Sequence, residues 1–282
     1  MTLLAALIGA LVAWAGSQGG VTVGGVPAFA IAVAAAFLIQ WLVFIPSYRF
    51  QTEKFFDLTG SLTYLTVVGI SLWASRQNAA LDGRSLLLAA LVAVWAIRLG
   101  SFLFSRIHRA GKDDRFDDLK PSFVRFLNVW TMQGLWVTFT AAAALVAITS
   151  TYRKDLDGFA LVGTLIWLLG FGFEAVADAQ KSRFNSDPRN KGRFISTGLW
   201  SRSRHPNYFG EIVLWIGVAV IALPVLHGWQ RIALISPVFV AVLLTRISGI
   251  PLLARKAEAK WGGQADYQAY KERTPLLIPR LW

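Results

Sequence analysis

Cysteine is absent from the 282 residues, which excludes disulfides, thiolate metal sites and cysteine nucleophiles at once. Histidine is nearly absent: His108, His205 and His227 are the whole supply, so no metal centre is expected. Charged residues make up only 16% while 55% are hydrophobic, outside the balance of a soluble domain. A basic stretch ahead of the first apolar run is also missing. Only Met1 and Thr2 precede residues 3–15, so that run reads as part of the fold and not as a cleaved signal peptide. With no internal repeat and no low-complexity linker, residues 1–282 read as a single integral membrane domain.

What is present in quantity is apolar sequence of bilayer length. A hydrocarbon core about 30 Å thick takes about 20 apolar residues per helix. Runs at 3–22, 26–47, 59–75, 84–104, 127–149, 157–176, 210–227 and 230–252 meet or approach that length, the first being interrupted by Gly16, Gly19 and Gly20. The predicted fold class is all-α: a polytopic membrane helix bundle of seven or eight spans, with cytoplasmic loops capping a cofactor cavity. The net charge of +12 then reads as basic loops facing an anionic leaflet and not as a nucleic-acid surface. Twenty-one Lys and Arg fall in the loops after spans two, four and six and in the tail. The alternate loops hold only Arg76, Arg84, Arg153, Lys154 and Arg231. That bias predicts a cytoplasmic C-terminus and a cytoplasmic 177–209 loop, in a membrane such as the bacterial inner one. No obligate protein partner is implied; membrane lipid is.

Of the loops, 105–126 mixes both charge signs and reads as an ordinary solvated connector. The stretch 177–209 is long, polar and basic, yet carries Phe184, Phe194, Trp200 and Tyr208, which a mere linker would not need. It ends in the string GLWSRSRHPNYFGE, residues 198–211. Pro206 restricts His205 to extended backbone, and Asn207 suits a helix N-cap. Flanked by Arg202 and Arg204, that helix start reads either as an anion site or as a basic, aromatic membrane anchor.

Isolated polar residues within apolar spans carry the next signal. Arg246 in LLTRISGI and Arg98 in VWAIRLG each place a cation where hydrocarbon makes it costly. A cofactor phosphate, an intramembrane carboxylate or snorkelling to the interface would each relieve Arg246. Gln133 reads as an interhelical hydrogen bond or as a ligand contact. Two carboxylate pairs, Glu53 with Asp57 and Glu174 with Asp178, are spaced four apart, so each shares a helix face at the edge of an apolar run. A carboxyl in an apolar pocket can stay protonated and donate a hydrogen bond to an acceptor oxygen.

The string RHPNYFGE resembles the signature shared by steroid 5α-reductases and their bacterial relatives, sterol C14 and C7 reductases, and isoprenylcysteine carboxyl methyltransferases. The tail at 260–279 is similar to the ending of the reductases, and the likeness to the 5α-reductase family runs from about residue 49 onward. It implies NADPH as cofactor, whose 2′-phosphate suits a surplus of arginine. Glu174 and Asp178 stand where that family carries an Asn and an Asp that hydrogen-bond the nucleotide, Glu174 being a departure. Arg193 stands at a cofactor-phosphate arginine, and Asn207 and Glu211 at the nicotinamide side. Arg98 and Arg109 match cofactor-associated arginines, and Arg204, His205 and Tyr208 belong to the signature; Arg246 is assigned to the cofactor from its place in an apolar span and not from the resemblance. Glu53 falls at the family's carbonyl-binding Glu, with Asp57 beside it. Trp95 replaces the accompanying tyrosine, a role that Tyr64 could take over. The resemblance implies NADPH-dependent reduction of the conjugated C=C of a 3-oxo-Δ4-steroid or similar lipid enone. S-adenosylmethionine-dependent methyl transfer and sterol C14/C7-type reduction are the alternatives.

Overall fold

A computed structural model describes residues 1–280, the side chains at 109 and 110 excepted. The chain is an all-α polytopic membrane helix bundle. Among the described residues, seven helical stretches are long and apolar enough to cross a bilayer: Ala28–Arg49, Phe56–Asn78, Gly83–His108, Phe123–Thr149, Gly158–Ser186, Pro206–Val225 and Gly228–Trp261. The first apolar run forms only α1, Thr2–Gly16. At about 1.5 Å per residue its 15 residues fall short of a 30 Å core.

The helices cluster into two compact units. The first, residues 1–161 with 218–236, contains α1, then α2 (Ala28–Arg49), α3 (Phe56–Asn78), α4 (Gly83–Ala110) and α5 (Phe123–Thr149). A two-stranded ribbon of β1 (Thr22–Val23) and β2 (Val26–Pro27) links α1 to α2, and Gly24 and Gly25 supply the positive φ its turn requires. α5 is the axis of the unit, with 83% of its apolar window buried. Its run Ala141 to Ala144 is fully buried, and such small side chains let neighbouring helices approach. Polar bonds lock the contacts: Gln40 Nε2 donates to Thr63 Oγ1 at 2.8 Å, and Trp41 Nε1 to Thr131 Oγ1 at 3.0 Å. Gln133 takes the interhelical role, its Nε2 donating to the Phe56 carbonyl at 3.1 Å. At the far end, buried Arg84 donates to the carbonyls of Lys154, Asp155 and Ile221 and to Asp157 Oδ1 at 2.9 Å.

The second unit, residues 162–217 with 237–282, contains most of α6 (Gly158–Ser186) and α7 (Pro206–Ala222). It also holds most of α8 (Ile235–Val242), a π-helical segment Leu243–Ile247, α9 (Ile250–Trp261) and α10 (Ala265–Arg273). Gly163, Gly170, Gly210 and Gly217 form a seam between α6 and α7. A Cβ on Gly210 would sit 2.5 Å from the Glu174 nitrogen and the Gly170 carbonyl, and one on Gly217 would sit 2.5 Å from the Gly163 carbonyl. Only glycine permits backbones this close.

Four expectations need correction. α6 runs on to Ser186, so the 177–209 loop shrinks to 187–205: the helix leaves its apolar stretch and continues as a polar one. α7 starts at Pro206, whose fixed φ and missing N–H suit a first helical position, so Asn207 lies inside the helix and does not cap it. The last run is no single helix, being a 3₁₀ stretch Gly228–Leu234, α8, the π segment and α9. The 105–126 connector is not merely solvated, because Phe116 is buried against Phe56 and Phe126.

Candidate functional site

The first unit gathers Glu53 and Asp57. Glu53 lies between α2 and α3, only 4% exposed. Its Oε1 accepts from the Asp113 backbone N–H at 2.9 Å and its Oε2 from Lys120 Nζ at 2.5 Å. Burial pulls the Lys120 ammonium down, but bonds and charge from Glu53 and Asp117 outweigh it and hold it above its ordinary value. Asp57, in the first turn of α3, lies 3.6 Å from the Arg106 guanidinium and 3.9 Å from that of Arg115. Both carboxylates therefore engage the chain between α4 and α5, and Glu53 pairs with neither of its local cations, Arg49 and Lys54. Sequence reasoning missed Lys120 and Asp113. The available signal was a phenylalanine, Phe116, set among acids and bases.

On the same α3, Tyr64 packs edge-on against Trp95 of α4, ring centres 5.0 Å apart, so the proposed substitute and the residue it would stand in for are in contact. Arg98 stacks over Phe102 at 5.5 Å. The side chain of Arg109 lies outside the described residues.

The second unit gathers most of the predicted cofactor set. Glu174 and Asp178, successive turns of α6, are both buried. Asn207 Nδ2 donates to Asp178 Oδ1 at 3.1 Å, and Glu211 follows one turn along α7. The preceding turn is anchored rather than free. Trp200 Nε1 donates to the Ala177 carbonyl at 3.0 Å, Lys181 lies over the Trp200 ring, and Tyr270 donates its hydroxyl proton to the Trp200 carbonyl at 2.7 Å. Burial pushes the Tyr270 hydroxyl up to about 12. His205 stacks parallel to Tyr208, ring centres 5.6 Å apart. Burial, aided by the charges of Lys181 and Arg204, pulls its imidazole down to about 3, so it is neutral near pH 7. Arg204 Nε and His205 Nδ1 are buried without a hydrogen-bond partner among the described residues.

Two predicted arginines of this unit stand apart from that cluster. Arg193 is exposed beyond the turn Pro188–Asn190, and Arg246 is exposed within the π segment. Neither guanidinium forms an ion pair or hydrogen bond among the described residues. The intramembrane salt bridge considered for Arg246 is thus not formed, while π segments inside helices recur at functional sites.

A polytopic membrane helix bundle with buried carboxylates in both units, and uncommitted arginines in the second, is the class that fold and site define. The family model described as "Protein of unknown function (DUF1295)" matches residues 43–274, and the chain belongs to that family. A relative, the probable O-methyltransferase ustE of Ustilaginoidea virens, is 28% identical over 116 residues, covering 36% of this chain and 41% of the relative. The chain thus matches less than half the length of that relative. No solved structure gives a significant match.

Proposed function

We propose that this protein is a membrane-embedded, NADPH-dependent reductase acting on the conjugated C=C of a 3-oxo-Δ4-steroid or similar lipid enone. The observation that carries the reading is the polar cluster at the start of α7. There the buried Asp178 accepts from the half-buried Asn207, accompanied by the orphaned Arg204 Nε and His205 Nδ1. Burying polar atoms unpaired costs about 1–3 kcal/mol each, a cost that a polar ligand removes. The residues fit NADPH. Arg193 and Arg246 offer unpaired guanidiniums for phosphates, Asp178 accepts hydroxyl or amide donors, and neutral His205 hydrogen-bonds without adding charge. When bound, NADPH supplies the hydride that reduction of an enone consumes. The resemblance to 5α-reductases assigns Glu174 and Glu211 to the nucleotide side, and Glu53, with Asp57 and Tyr64, to the substrate ketone. The DUF1295 match supports this reading, that family being associated with steroid 5α-reductase-like membrane proteins. The charge bias of the loops supports a cytoplasmic C-terminus in a bacterial inner membrane.

Methyl transfer from S-adenosylmethionine is the second reading, favoured by the name of the O-methyltransferase relative. The test uses detergent-purified protein with NADPH and progesterone or testosterone, following nicotinamide absorbance and product mass. An NADPH-dependent gain of two hydrogens supports the reductase. NADPH should also raise the unfolding temperature, and Arg246→Ala should abolish that gain. Stabilisation by S-adenosylmethionine and not by NADPH would overturn the reading in favour of the methyltransferase.

A further inference from the structure

The Glu53 site is built differently from the one that sequence pattern suggests. A carboxyl that polarises a ketone by hydrogen bonding must carry a proton, yet both Glu53 oxygens already act as acceptors, from Asp113 N–H and from Lys120 Nζ. The donor at this place is the Lys120 ammonium. Of its three N–H groups one meets Glu53, a second lies 3.4 Å from Asp117 Oδ1, and the third has no acceptor among the described residues. The side chain is 14% exposed, so it is shielded yet reachable.

An independent observation in the same unit points to a polar ligand. The Phe56 N–H donates to the Glu53 carbonyl at 2.9 Å, and Phe56 is flanked by the Trp130 ring at 5.1 Å and by Gln133. Trp130 Nε1 and Gln133 Oε1 are both buried without a partner among the described residues. A donor and an acceptor thus stand unmet around Phe56, three residues beyond Glu53.

We propose that Lys120 is the residue that hydrogen-bonds the substrate's carbonyl oxygen, with Glu53 as the positioning residue that fixes the ammonium and neutralises its charge in the resting site. This rests on the reductase reading. As an enone's β-carbon is reduced, negative charge gathers on the carbonyl oxygen. A preorganised cation in a shielded site stabilises that charge far more than it stabilises the neutral ketone. A carboxylate left facing that oxygen would do the opposite.

The test compares Lys120→Met, Lys120→Arg and Glu53→Gln with the parent protein, using NADPH and progesterone. Lys120→Met should lower kcat about 10²–10³-fold, the range for loss of one such donor, while NADPH-induced thermal stabilisation is unchanged. Lys120→Arg should recover part of the rate. In Glu53→Gln the ammonium loses its main counter-charge, Asp117 remaining nearby, so the high-pH fall of turnover should move to lower pH than in the parent. A readout free of turnover is the infrared carbonyl stretch of progesterone bound without cofactor: hydrogen-bonded and lowered in the parent, unshifted in Lys120→Met. Full activity and an unchanged carbonyl band in Lys120→Met would overturn this assignment and leave the reductase standing. Failure of the parent protein to reduce any enone would overturn both.

Discussion

The glycine seam of α6 and α7 offers a quantitative test. In Gly210→Ala the new Cβ would sit 2.5 Å from the Glu174 nitrogen and the Gly170 carbonyl, whereas ordinary contact begins at 3.4 Å. Both obstacles are backbone, so no side chain can swing aside, and the helices must part by 3.4 − 2.5 = 0.9 Å locally. Overpacking of this kind costs about 1–3 kcal/mol. The same displacement stretches the Asn207–Asp178 bond from 3.1 Å to about 4 Å, beyond hydrogen-bond range, and bonds to charged groups contribute about 1.5–3 kcal/mol. Since one movement causes both losses, a combined cost near about 3 kcal/mol is expected. The assay is thermal unfolding in detergent, where each kcal/mol lowers the midpoint by roughly 2–4 °C for a chain of this size. The control is Gly172→Ala on the same α6, where a Cβ meets nothing within 4 Å and the better helix former should be neutral or stabilising. If Gly210→Ala unfolds at the same temperature as Gly172→Ala, the seam does not hold the helices together and the reasoning fails.

Arg84→Met removes a buried guanidinium and strands three carbonyls and Asp157; a loss of about 3–5 kcal/mol is expected, read as a lowered unfolding midpoint. His205 makes stability pH-dependent in a defined direction. Its folded value of about 3 lies below the usual 6.5, so the unfolded chain binds the proton first and stability falls as pH drops from about 6.5 towards 3. His205→Gln should remove about 2 kcal/mol of that loss at pH 5, and unfolding midpoints of the two proteins should differ in their pH slope below 6.5 and run parallel above 7.5. Tyr270→Phe leaves the Trp200 carbonyl without its donor and should cost about 1 kcal/mol in denaturant titration.

Hydropathy reports the bilayer and not the helix, which explains both its successes and its failures here. The run 26–47 became Ala28–Arg49 and the run 127–149 became Phe123–Thr149, because apolar length and helix length coincide there. Where the helix outlasts its apolar stretch, as α6 does from 177 to 186, the pattern reads as loop. The π segment around Arg246 was illegible, since no glycine or proline lies within Leu243–Ile247. Spacing of four placed Glu174 and Asp178 on one face of α6, and the structure pairs Asp178 with Asn207 across 29 residues. Lys120 lies 67 residues from Glu53. No local period can announce a partner at that distance, and the packing of Phe116 on Phe56, with the bonds of Asp113 and Lys120 to Glu53, brings the connector back.

The enclosure of α5 constrains how the protein is made. A helix with 83% of its spanning window covered by its own chain has almost no lipid-facing surface in the finished molecule, yet it enters the membrane as a separate apolar segment. Synthesis delivers α1 to α4 first, so α5 emerges into a partly formed cradle that lipid must vacate. Its far side closes only when later sequence arrives, as Gln230 reaches Ser150 and Ser236 bonds the Thr140 carbonyl. A chain arrested before residue 230 therefore has the cradle of α1 to α4 around its most buried helix but lacks the last part of that helix's cover.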